Sequence, residues 1–103
     1  MVLGQRLRHR FVFFLAGNTA FVADGGSGLQ IIDVSNPSSP SLTGNIDTSG
    51  WAYDVTLSAD GNTAFVADGR SGLQIIDISN PASPTLTGRI DTSDNAKGVT
   101  LSA

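Results

Sequence analysis

The residues able to do chemistry are few. His9 is the only histidine, and the chain has no cysteine. A zinc site of Cys/His type cannot be assembled within one chain, and no disulfide can form. Serines are plentiful, but none has a base at a local spacing, and beside Asn, Pro and Gly they read as turn residues. With no acid, base and nucleophile to bring together, the expectation is a protein that is not an enzyme.

Aspartate recurs at Asp24, Asp33, Asp68 and Asp77. The stretch GGSGLQIID (25–33) has the glycine content of a calcium-binding nonapeptide. That motif has aspartate at its sixth position, where Gln30 stands here. No EF-hand loop is present. The four aspartates read instead as turn caps that accept from nearby backbone N–H groups. No metal and no cofactor is expected.

Trp51 and Tyr53 are the only tryptophan and tyrosine. An apolar ring with a polar edge suits stacking on a sugar or anchoring a peptide. Their position makes them informative, because the chain repeats itself. Gly17 matches Gly61, a period of 44 residues, and 34 of the 43 aligned pairs in 17–59 and 61–103 are identical. Four of the nine differences fall in one loop, GWAYD (50–54) against DNAKG (94–98). A loop that varies on a constant scaffold is where binding usually sits. The candidate ligand residues are therefore Trp51, Tyr53 and Asp54, with Asp94, Asn95 and Lys97 as the second copy. The alternative for Trp51 is a ring packed between neighbouring sheets, since large aromatics are highly buried on average. Phe21 and Phe65, at one repeat position, are expected in the core.

The elements around this loop are short strands. In the second copy, TAFVAD (63–68), GLQIIDIS (72–79) and TLTGRID (85–91) are β-prone runs, with equivalents at 19–24, 28–35 and 41–47. Asn80-Pro81-Ala82-Ser83-Pro84 must be a connection, because two prolines in five residues cannot donate to a central ladder. YDVTLS (53–58) alternates and is joined to the next strand through Asp60-Gly61, a hairpin signal. Connections this short favour antiparallel neighbours, and no helical periodicity persists anywhere. Leu29 and Ile31 point to one face, Ile32 and Val34 to the other. Sheets apolar on both faces want neighbours on both sides. Four-stranded sheets repeated at this spacing and stacked face to face are β-propeller blades.

The sequence AFVADGRSGLQIIDISNPASPTLTGRIDTS resembles the LVIVD repeat of bacterial and archaeal proteins, many of them secreted or surface-attached. The resemblance covers residues 17–103 and is carried by the Ala-Asp-Gly turn (67–69), Gly-Leu-Gln-Ile-Ile-Asp (72–77) and Ser-Asn-Pro-x-x-Pro (79–84). It implies an all-β fold of antiparallel four-stranded propeller blades and no shared catalytic chemistry. By analogy, 53–91 is one blade with 53–59 innermost. Residues 11–47 form another if FVFFL (11–15) supplies the inner strand. Residues 97–103 are the lone inner strand of a third, and 1–16 are a divergent segment or remnant of an earlier repeat.

A propeller closes with about 4–8 blades, and just over two are encoded, so an incomplete propeller is expected. Four apolar side chains left wet on each open face forfeit on the order of 10 kcal/mol, comparable with a whole domain's stability of about 5–15 kcal/mol. The expectation is a fragment of a larger surface or secreted protein, a head-to-tail ring of copies, or an open pair prone to self-association through its faces and edge strands.

A net charge of −3 gives no electrostatic footprint for nucleic acid. No apolar run reaches the roughly 20 residues of a membrane span. The start, MVLGQRLRHRFVFFLAG, has a basic stretch followed by an apolar run shorter than a signal peptide's, so localisation is not read from it. The function expected is a non-enzymatic module with a protein or carbohydrate partner. The rivals are a purely structural repeat and, more distantly, a hydrolase whose site lies in blades outside this chain.

Overall fold

A computed structural model describes residues 12–102, and all eight of its elements are strands. The first four are β1 (Val12–Ala16), β2 (Thr19–Ala23), β3 (Leu29–Asp33) and β4 (Ser41–Ile46). The second four are β5 (Asp54–Leu57), β6 (Thr63–Ala67), β7 (Leu73–Asp77) and β8 (Thr85–Ile90). Each set forms one antiparallel sheet in chain order, β1-β2-β3-β4 and β5-β6-β7-β8. The apolar run ending at Leu15 thus supplies the first strand of the first sheet, at its edge; Phe11 lies outside the described residues, as do His9 and the arginines before it.

The sheets share one register. Phe21 pairs with Ile31 as Phe65 pairs with Ile75, and Leu29 with Ile46 as Leu73 with Ile90. Both carry a bulge at one place, between Ile31 and Ile32 and between Ile75 and Ile76. The connection before each outer strand is a turn, closed by Ser39 N–H to the Asn36 carbonyl (2.8 Å) and Ser83 N–H to the Asn80 carbonyl (2.9 Å). This is where the paired prolines direct the chain out of the ladder.

The sheets stack face to face, β5 lying against β1 and β2. One face of the first sheet presents Phe21, Ala23, Leu29 and Ile31; the opposite kind of face of the second presents Val55, Leu57, Ala64, Val66, Ile76 and Ile78. All are buried. Stacking is therefore directional, front of one sheet on back of the next. The two remaining outer faces do not meet, so the pair is not closed. Phe65 departs from expectation: it is only half-buried, although Phe21 is core. Phe65 stands on the outer face of the second sheet, over which no third sheet lies among the described residues.

Residues 97–103 are expected from the sequence to be an innermost strand; of these, 97–102 are described, and they form no ladder. A strand is defined by its partner's hydrogen bonds. Only Ala96 pairs here, bridging to Gly69.

Candidate functional site

The variable loop is the seam between the sheets. Gly25 and Ala52 exchange backbone hydrogen bonds of 3.0 Å each, and Tyr53 N–H donates to the Ala67 carbonyl at 2.8 Å. Residues 50–53 are thus held by the turn of the first sheet on one side and by β6 on the other.

Asp68 locks the seam. It is fully buried, and its carboxylate accepts from Thr48 Oγ1 (2.6 Å) and from Gly50 N–H (2.9 Å). These are charge-assisted bonds in a dry place, the stronger kind. The sequence reading of Asp68 as a cap of its own turn is corrected: its partners come from the preceding repeat. Asp33 and Asp77 do cap locally, accepting from Ser35 and Ser79 N–H at 2.9 Å each. Those backbone bonds hold both carboxyls below the ordinary aspartate range. Asp60 is lowered likewise, first by the Ser58 hydroxyl, which donates at 2.7 Å, and then by Asn62 N–H.

Trp51 is 56 % exposed. Its ring lies on the turn of the first sheet, so that a Cβ on Gly25 would sit 2.6 Å from Cζ2, and one on Gly26 would sit 3.3 Å from Cζ3. Gly25 also has φ +53°, in the left-handed region that favours glycine. The glycines form a floor on which the indole rests with over half its surface open. The ring is not enclosed between the sheets.

Beside it, Ser49, Gly50, Trp51, Tyr53, Gly69, Arg70, Ser71 and Asn95 line a hollow of about 300 Å³. Lys97 Nζ stands 5.8 Å from the centre of the Tyr53 ring, within cation–π reach. Asp94 borders an adjoining hollow of about 270 Å³ together with Arg70, Thr92, Ser93 and Asn95. Trp51, Tyr53 and Asn95 are thus brought together, with Lys97 against Tyr53 and Asp94 next door. Asp54 is turned to structural use: its Oδ1 accepts from Val55 N–H and its Oδ2 from Val99 N–H, both at 2.9 Å. It ties the segment after Lys97 to β5.

Arg70 is the residue the sequence reading passed over. It is exposed, it lines both hollows, and it replaces Gly26 of the first repeat. The difference between repeats was itself the signal. The turn under Trp51 must be bare, whereas the turn beside Asn95 can carry a long cation. Among the described residues no three His, Cys, Asp or Glu side chains gather as a metal site, and no helix is long and apolar enough to cross a membrane.

The fold and seam define a tandem repeat module of stacked four-stranded antiparallel sheets. The chain belongs to the LVIVD repeat family, whose profile matches residues 14–48 and 49–92. A comparison with curated proteins finds no significant match.

Proposed function

We propose that this chain is a non-enzymatic β-propeller module that binds a glycan at the seam between its repeats. The observation that carries this reading is the open indole of Trp51 laid on Gly25 and Gly26 beside a polar hollow. A flat aromatic surface accepts the apolar face of a sugar ring. The Asn95 amide, the Arg70 guanidinium and the Ser49 and Ser71 hydroxyls around it supply donors and acceptors for hydroxyl groups. Blades of a propeller are supported by the directional stacking, which can continue on both outer faces, and by the family resemblance. A site on the extracellular surface is the setting that resemblance implies.

Glycan and peptide arrays probed with the full chain test this. The expected result is binding to a set of glycans, lost at least tenfold in Trp51→Ala and accompanied by a change in Trp51 emission in the parent protein. Peptide hits alone would replace the glycan with a protein partner. Binding indifferent to Trp51→Ala would remove the seam from consideration and favour a purely structural repeat.

A further inference from the structure

We propose that the outer face of the second sheet is a docking surface for the first sheet of another copy of this chain, and that Asp94 is built into its rim as the element that weakens the contact. The proposal does not depend on a ligand at the seam. Its grounds are the buried interface and the two outer faces that no further sheet covers among the described residues.

The buried interface is asymmetric. Phe21, Ala23, Leu29 and Ile31 meet the face carrying Val55, Ala64, Val66 and Ile76. Forty-four residues on, Phe65, Ala67, Leu73 and Ile75 repeat the first set without a change and stand on the outer face of the second sheet. Forty-four residues back, Ala20, Val22 and Ile32 repeat Ala64, Val66 and Ile76 on the outer face of the first sheet. The molecule therefore carries the front half of its interior interface unchanged, and the back half with Ala20, Val22 and Ile32 unchanged, Val34 in place of Ile78, and Phe13 and Leu15 at the registers of Val55 and Leu57. The open faces complement each other and not themselves, so contact between copies is head to tail.

The backbone offers the same clearance. A Cβ on Gly44 would collide with the Pro81 carbonyl oxygen, so the connection of the second repeat sits directly on β4. Gly88, its equivalent, has nothing within 4 Å of its Cβ position. Gly88 thus has the clearance that Gly44 gives to Pro81, and Pro37 of another copy is the counterpart of Pro81. The Thr92 hydroxyl, equivalent to the one Thr48 gives to Asp68, here turns back onto the Asp94 carbonyl at 2.8 Å.

One substitution at the rim opposes the contact. Gly50 must be bare at the buried interface, because a Cβ there would collide with the Asp68 carbonyl oxygen and approach Ser71 Oγ at 2.9 Å. Its equivalent is Asp94. Docked in the interior geometry, Asp94 would drive its Cβ against the Asp24 carbonyl of the next copy and set its carboxylate near that of Asp24. Steric and like-charge penalties at the rim are the means by which interfaces are kept weak. The apolar faces invite a second copy, and Asp94 makes that copy leave.

Sedimentation velocity of the full chain across a range of about 1 to 500 μM is the test, a span that covers weak association. The parent chain is expected to associate weakly and reversibly. Asp94→Gly is expected to tighten association at least about tenfold. Ile75→Lys on one face and Val22→Lys on the other are each expected to be monomeric alone, yet to pair one to one when mixed, because each retains the face the other has lost. Phe65→Asp and Ile32→Lys serve as second variants of the two faces, and the β-sheet circular dichroism of each variant verifies that it is folded. A parent and Asp94→Gly protein that both stay monomeric would overturn the proposal. So would equal affinities for the two, or a mixture that fails to pair.

Discussion

The two repeats are nearly the same sequence in two different situations. The front of the first sheet is covered by the second; no sheet among the described residues covers the front of the second. Phe21 is buried and Phe65 half-buried, Ile31 is buried and Ile75 half-buried, with identical neighbours along the chain. The lesson is that local sequence builds the sheet while position in the array decides what each side chain contributes. Asp68 and Asp24 show the same division. Each opens the same turn, with Asp68 N–H to Gly72 O and Asp24 N–H to Gly28 O at 2.8 Å each, but Asp68 also clamps the preceding repeat.

The largest effect expected from breaking this comparison is in the core. Ile31→Ala should cost about 3–4 kcal/mol, in the range for deleting a buried isoleucine, while Ile75→Ala on the open face should cost about 1 kcal/mol, mostly lost partial burial. Urea unfolding followed by circular dichroism measures both. Equal losses would mean that the outer face is covered in solution and would itself point to association.

Next comes the clamp. Asp68→Ala strips two half-buried donors of a fully buried carboxylate acceptor and should cost about 2 kcal/mol, whereas Asp24→Ala should cost under about 1 kcal/mol, as partly exposed substitutions do. The same unfolding experiment decides it. If the two variants were equally stable, the seam would be held by packing alone.

The smallest effect is one in which the repeats should agree. Asp33 and Asp77 cap turns made entirely within their own repeat, so both carboxyls should titrate below the ordinary aspartate range. The sign follows from linkage: a carboxyl lowered by folding stabilises fully above its unfolded value of about 4, and that contribution is lost as pH falls through the lowered folded value. Carboxyl chemical shifts followed by NMR through acid should give two similar curves. A large split between them would show that the environment of the array reaches even these local turns.

What could be read from the sequence follows the same line between local and positional. The apolar run of Leu29, Ile31 and Ile32 and the paired prolines mark the strands and their connections, because strand and turn chemistry are set by neighbours along the chain. The partners of Asp68 were not legible, since Thr48 lies 20 residues earlier and Asp24 has the same surroundings without that role. Phe65 was misplaced for the same reason. At the seam, the differences between repeats identified Trp51, Tyr53 and Asn95, which do line one hollow. Arg70 escaped because it lies in another turn and joins them only once the chain folds. Asp54 was selected for its place in a variable loop, and its bonds to Val55 and Val99 could not be inferred from that place.

The bulge shared by both sheets has a consequence for how copies could accumulate. It shifts pairing from Ile31–Gly44 to Ile32–Leu42, and from Ile75–Gly88 to Ile76–Leu86, so Thr43 and Thr87 fall out of step along β4 and β8. An outermost strand interrupted in this way, entered through Pro40 or Pro84, makes a poor template for adding another strand beside it. Amyloid-like ribbons, which lengthen by that addition, are thereby disfavoured. If many molecules gather, they should pile up like coins, and a dye that reads cross-β order should stay dark.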